Sequence, residues 1–187
     1  GLQIGYSKQN VTPDYDVGLG GFSNQDTRIS EGLVSYIYLT CIAATDGDET
    51  ILMFTVDNCN ATQWFIDETR EQVTAATGIP GDKIFYAATH THNAPSIYGY
   101  PEARKYGLQL MAACATAARA ALADRAPAKV MASKKKFPGM NFVRHVELAD
   151  GRDVGYGYQN YKSPVVGFAG PADDEMVLIK FAREEKQ

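Results

Sequence analysis

Hydrophobic and polar positions along the chain alternate with two different periods. Residues 2–7 carry the two-residue period of a short strand, closed by Val11-Thr12-Pro13, and residues 14–30 form a long loop rich in Gly and polar residues. Residues 33–45 and 50–56 are rich in β-branched and aromatic side chains. Asp46-Gly47-Asp48 between them is a hairpin signal, so two adjacent antiparallel strands are expected. Asn60 is placed to cap a helix over 61–77, with Trp64, Ile66, Val73 and Ala76 among its apolar positions. Gly78-Ile79-Pro80-Gly81 stops it.

Residues 83–89 return as a strand. Strand, helix, strand in this order predicts a βαβ unit with parallel strands and a right-handed crossover. An Ala-rich helix is predicted over 102–124, ended by Ala126-Pro127. Strands follow at 128–134, 142–148 and 176–182, with a turn at Asp150-Gly151 and a Gly/Tyr/Pro-rich loop over 155–171. No repeat and no linker interrupts the pattern. The fold class is α/β, a mixed β-sheet with flanking helices that include the βαβ unit, in one domain.

Composition narrows the function. With 187 residues, 45% of them hydrophobic, the chain can bury one real core. The formal net charge is −4, and the only basic run, Lys134-Lys135-Lys136, has no interleaved aromatics, which excludes a nucleic-acid groove and reads as a solvated strand end. Cys41, Cys59 and Cys114 are odd in number and lie in or beside apolar segments, as buried reduced thiols do. No apolar run approaches the roughly 18 residues of a membrane span, and the opening "GLQIGYSKQNVTP" lacks a signal-peptide pattern. A cytoplasmic protein is expected; a secreted one with its signal removed is the alternative.

The chemistry concentrates in "AATHTHNAP", where two of the three histidines lie two residues apart. If the strand continues through the motif, His90 and His92 share one face. Asp57 follows its strand as His90 follows the next, so both should emerge at the same carboxyl edge, where α/β sheets bind ligands. Two imidazoles with a carboxylate behind them suit a divalent metal, zinc above all. The plainer reading makes Asp57 a helix cap and the pair an ordinary loop. A metal-dependent amidohydrolase barrel also carries such a pair, but on its first strand and in a longer chain.

"ATHTHNAPS" resembles the "THTHSGP" signature of the neutral/alkaline non-lysosomal ceramidases, zinc-dependent amidases that split the N-acyl bond of ceramide. "IGYSKQNVTPDYDVGLGGF" is similar to that family's opening strand, turn and Gly-rich loop. "RISEGLVSYIYLTCIAATDGDETILMFTVD" and "TGIPGDKIFYAATHTH" are similar to the approaches to its Asp and its signature, and "GMNFVRHVELADGR" to its Asn/Arg segment. The resemblance implies that His90 ligates zinc and His92 lies beside the scissile amide. It implies further that Gly20 or Gly21 lines the substrate site and that Arg144 binds a carboxylate or the developing oxyanion. Asp57 would then orient the His90 region, and His145 would be structural.

Asn93-Ala94 stand where the family more often has Ser-Gly. The family's second zinc His, its Glu and Tyr ligands and its active-site Ser all fall after the segment matching "VLIKFAREEK". The resemblance therefore implies the N-terminal portion of a catalytic domain, with one zinc ligand of four. Weak or absent zinc binding is expected, together with an inactive fragment and self-association through an exposed C-terminal edge. Three readings stay open: an N-acyl amidase acting on a lipid or small-molecule amide, an ester or phosphoester hydrolase of the same fold, and a non-catalytic binding fragment.

Overall fold

The computed structural model of the chain describes residues 1–22, 27–99, 101–155 and 162–183. Its first strands are β1 (Gln3–Asn10), β2 (Tyr38–Asp46) and β3 (Glu49–Val56), followed by α1 (Gln63–Thr77), a 3-10 turn at Gly81–Lys83 and β4 (Ile84–Ala88). Then come α2 (Pro101–Ala123), β5 (Ala126–Lys136), β6 (His145–Leu148), β7 (Asp153–Gly155), β8 (Val165–Phe168) and β9 (Glu175–Arg183). The chain divides into two compact units, Gly1–Lys129 with Arg183–Gln187, and Val130–Ala182. The boundary falls inside β5, so no linker composition marks it.

In the first unit the sheet order is β4-β3-β2-β1, with the start of β5 paired to β1 through Gln3 and Ile4. The β2–β3 hairpin forms as predicted: Asp46 pairs with Glu49 across Gly47-Asp48, and Gly47 has a φ of 58°, a value suited to glycine. β3 and β4 are parallel, with Val56 opposite Ala88 and α1 as the crossover, which is the βαβ unit read from the sequence.

Both helices cover one sheet face. Leu39, Cys41 and Ala43 of β2 and Leu52, Phe54 and Val56 of β3 alternate into a core with Phe65 and Val73 of α1 and Leu110, Cys114, Ala118 and Ala121 of α2. All three cysteines are buried and free. Gly5 sets the spacing between α2 and the sheet: a Cβ there would stand 1.8 Å from the Ala121 carbonyl oxygen, so only glycine permits this approach. Ser7 Oγ, two residues on, donates to the Ala117 carbonyl at 2.8 Å.

Several boundaries differ from the sequence pattern. α1 starts at Gln63 after Thr62, with no side-chain cap, so Asn60 does not cap it. The Asn60 carbonyl instead accepts from Asn58 Nδ2 at 2.7 Å. Gly78 does end α1, in the left-handed conformation, its N–H donating to the Thr74 carbonyl. Residues 33–37 are apolar enough for a strand but precede β2, and Val34 is fully exposed. They lie outside any ladder, so their hydrophobicity does not mark a strand.

The second unit holds β6 between β7 and β8, both antiparallel to it. The 155–171 loop therefore contains β8, a strand hidden by the Gly-rich composition; residues 156–161 of that loop lie outside the described residues. Arg144 precedes β6 instead of lying within it, and His145 opens the strand, exposed. The lysine run is ion-paired: Lys134 meets Glu175 at 2.8 Å and Lys136 meets Asp174 at 3.7 Å. β9 is exposed on both faces, Met176, Val177, Leu178 and Ile179 in succession. No helix among the described residues is long and apolar enough to cross a membrane.

Candidate functional site

The site lies at the carboxyl edge of the parallel β3–β4 pair. The register that puts Val56 opposite Ala88 sends Asp57 and Thr89 off the sheet together, and Thr89 N–H donates to the Val56 carbonyl at 3.0 Å. Two residues past Val56 is Asn58, then Cys59; two residues past Ala88 is His90. Both turns deliver side chains to one edge.

The strand does not continue through the histidines. β4 ends at Ala88, and His90 takes a φ of 63°, the only non-glycine positive φ among the described residues. The shared-face expectation is thus corrected: a left-handed turn breaks the two-residue alternation. The turn still brings the rings together, with centroids 4.8 Å apart and planes at 88°. The two Nε2 atoms stand 3.4 Å apart.

Each ring is held from behind. His90 Nδ1 lies 2.6 Å from the Cys59 carbonyl oxygen. A carbonyl only accepts, so Nδ1 carries a proton and donates this bond. Cys59 Sγ lies 3.6 Å from the same Nδ1, and burial pushes that thiol's pKa up. Gly21, at a φ of 96°, lies against His92: a Cβ there would fall 2.4 Å from the ring's Cγ. Phe22 meets the His92 ring edge-on at 4.9 Å.

Arg28 joins the two loops. Its guanidinium donates to the His92 carbonyl at 2.7 Å, the Gly20 carbonyl at 3.3 Å and Asn93 Oδ1 at 2.6 Å. Backbone bonds from Gly20 N–H to the Ala94 carbonyl and from Ser96 N–H to the Gly18 carbonyl, 2.9 and 2.8 Å, complete the seam. The early Gly-rich loop and the histidine motif are therefore one structure. Beside it is a cavity of about 630 Å³, lined by Thr91, Asn93 and Pro95 from the histidine loop and by residues such as Val17, Leu19 and Ile37.

The structure brings together His90, His92, Gly20 and Gly21 of the residues read from the sequence. Asp57 is at the same edge, but its carboxylate accepts from Tyr38 N–H at 2.9 Å and its own N–H donates to the Tyr38 carbonyl at 3.0 Å. It ties the end of β3 to the start of β2, while the Cys59 carbonyl holds His90. Arg144 belongs to the second unit. Cys59 and Arg28 are the residues that sequence reasoning missed. The signal for Cys59 was its place three residues beyond a strand whose parallel neighbour ends two residues before His90; Arg28 carried no such signal.

The donor set fits a metal. Two nitrogens on one tetrahedral zinc, each about 2.0–2.1 Å from it, are about 3.3–3.4 Å apart, and the two Nε2 atoms already have that spacing. A carbonyl on the far nitrogen of a ligating histidine is the usual support. Cys59, His90 and His92 place their donor atoms within 4.8 Å of one another.

A mixed α/β unit with a histidine pair at the carboxyl edge of its parallel strands is the class of structure that these observations define. Compared with solved structures, that fold is found in part of neutral ceramidase. The chain aligns with neutral ceramidase from Pseudomonas aeruginosa at a TM-score of 0.68 and 16% identity, over 76% of this chain and 25% of that one. A ceramidase complexed with C2 aligns at the same score and identity, over 76% and 24%. The chain thus spans about a quarter of the length of these ceramidases, and at this identity the likeness is one of fold. No protein-family model matches the sequence, and no curated protein matches it.

Proposed function

We propose that the chain is the N-terminal portion of a zinc-dependent hydrolase that cleaves an N-acyl amide, with a lipid amide of the ceramide type as its substrate class. The observation that carries this is the His90–His92 pair, Nε2 to Nε2 at 3.4 Å, on a fold shared with neutral ceramidase. His90 holds the metal through Nε2, since Nδ1 is committed to the Cys59 carbonyl. A zinc ion in such a site lowers the pKa of bound water towards neutrality and polarises a carbonyl.

His92 faces the same point and donates to the amide oxygen as negative charge develops there. Gly21 keeps the wall against His92 free of a side chain, Gly20 does the same against Cys59, and Arg28 fixes both loops. The cavity beside the histidine loop, with Val17, Leu19 and Ile37 in its lining, has room for an apolar arm of the substrate. Arg144 is assigned the substrate's carboxylate or oxyanion, on the motif resemblance alone. Asp57 supports the strand ends from which Cys59 and His90 depart.

The test is hydrolysis of matched N-acyl amides and carboxylic esters by the product of the complete gene. Zinc-dependent amide cleavage, lost on chelation and in His90→Ala, is the expected result. Cleavage of esters alone, or amide cleavage indifferent to His90, would overturn the reading.

A further inference from the structure

We propose that Asn93 is a specificity-determining residue: its side-chain amino group, with the Thr91 hydroxyl beside it, donates hydrogen bonds to an uncharged oxygen on the substrate arm that enters the cavity next to the histidine loop. The inference rests on the hydrolase reading, in which that cavity receives part of the substrate. It adds what that part carries, an acceptor such as a carbonyl or hydroxyl oxygen within an otherwise apolar arm.

The orientation of the Asn93 amide follows from its partner. Arg28 Nη2 lies 2.6 Å from the end of this side chain. A guanidinium has donors only, so the atom it meets is Oδ1, and the amino group is the end that Arg28 leaves available. Asn93 and Thr91 line the cavity, whereas Arg28 does not. Asn93 is exposed, and among the described residues its Nδ2 donates to no acceptor. Thr91 Oγ1 accepts from the Asn93 backbone N–H at 3.3 Å, which leaves the hydroxyl proton to donate. Two side-chain donors thus border one cavity, on a loop held by Arg28 and by the Ser96 N–H to Gly18 carbonyl bond of 2.8 Å.

Charge decides which acceptor these donors meet. Asp14, Asp16 and Glu31 also line the cavity, no Lys, Arg or His does, and the three carboxylates form no ion pair among the described residues. A carboxylate or phosphate on the arm would accept from Asn93 but be repelled by all three. An ammonium would be attracted to them but has no lone pair for Asn93 and Thr91. An uncharged oxygen meets the donors without either conflict, and a purely alkyl arm leaves them facing a surface that cannot accept.

The experiment takes the product of the complete gene and matched N-octanoyl butylamides. These are the parent amide, a series in which a carbonyl replaces one methylene at a time along either arm beyond those flanking the scissile amide, and an analogue ending in a carboxylate. Binding is measured by calorimetry and cleavage as kcat/KM. A ketone only accepts, so any preference for it reports donors on the protein. At least one keto position should exceed the parent about fivefold to tenfold, and the carboxylate analogue should be the weakest. Asn93→Asp keeps an oxygen for Arg28 and removes the donors, so the keto preference should vanish while the loop stays as resistant to limited proteolysis as in wild type. Thr91→Val should reduce the preference in part. A keto series that never exceeds the parent in wild type, or a preference that survives in Asn93→Asp, overturns the inference. The wild-type series decides even if a variant fails to fold. Amide cleavage without a keto preference would leave the hydrolase reading standing and remove this one. A keto preference in binding, lost in Asn93→Asp but with no cleavage of any amide, would keep the Asn93 donor and remove the hydrolase reading.

Discussion

Gly21 and His92 are in contact in a way that no other residue at position 21 would allow. A Cβ there would meet His92 Cγ at 2.4 Å and Nδ1 at 2.6 Å, and the backbone has a φ of 96°. Gly21→Ala is therefore expected to displace the imidazole. On the proposed reading of His92 as part of a metal-dependent site, zinc affinity should fall about tenfold or more, while the fold loses only about 1–2 kcal/mol from the left-handed backbone. Calorimetric titration with zinc beside urea unfolding separates the two; an alanine variant with unchanged affinity would show that His92 does not depend on this wall.

Arg28 acts as a fork and not simply as a charge. It reaches the His92 and Gly20 carbonyls and Asn93 Oδ1, with its guanidinium carbon 4.6 Å from the Phe22 ring centre. Lysine keeps the charge but not the planar geometry. Arg28→Lys should cost about 1–2 kcal/mol in unfolding free energy and make the histidine loop more susceptible to proteolysis. Limited digestion followed by mass spectrometry would locate the new cleavage; protection equal to wild type would argue against the seam.

The alkaline limit of stability is set in the core. Burial pushes the Cys41 thiol up to about 12, and raises Cys114 as well. An unfolded chain gives up these protons at an ordinary thiol pKa of about 8.5, whereas the folded chain keeps them. Above that value the unfolded state binds fewer protons, so stability falls as pH rises, by up to about 1.4 kcal/mol per pH unit for each thiol. Below about pH 8 both states hold the protons and these groups add no pH dependence. In reducing buffer the urea midpoint should be level from pH 6 to 8 and decline from about pH 9 upward, with a shallower decline in Cys41→Ala. A flat midpoint to pH 10.5 would contradict the burial.

How much of this was legible beforehand depended on whether local pattern or tertiary closure set each feature. The hairpin at Gly47 and the end of α1 at Gly78 are written in turn chemistry, and the parallel β3–β4 pair follows from strand and helix periods. The start of α1 was not legible, because Thr62 makes no side-chain cap and leaves Asn60 the more conspicuous candidate. β8 was hidden because four residues between loops carry too little pattern. In the site, the histidine spacing drew attention for a reason that failed, a continuing strand, while a turn at His90 did the same work. Cys59 is 31 residues from His90 in sequence, and a solitary cysteine has no spacing to interpret. Only the register of β3 on β4 shows that the two meet.

In the second unit, four successive side chains of β9 are exposed on both faces: Met176, Val177, Leu178 and Ile179, each 56–59% accessible. Phe142, Val166 and Phe168 are exposed in the same unit. Surfaces of this kind favour association. The isolated chain should self-associate at micromolar concentration in sedimentation velocity, and Leu178→Lys with Ile179→Glu should shift it towards monomer. A wild-type chain that stays monomeric at 100 μM, on the order of the highest concentration practical for the assay, would refute this.

The φ of 63° at His90 sets foldability and chemistry against each other. Asparagine occupies the left-handed region readily and glycine does so without steric penalty, so either residue at position 90 would relax the turn by up to about 1 kcal/mol while removing the imidazole. A library screened only for expression or heat resistance would drift towards Asn or Gly at this position and enrich well-folded proteins that lack the imidazole. A screen for the proposed hydrolysis would hold His90 in place, and improvements in stability would then have to arise elsewhere in the sheet and its two helices.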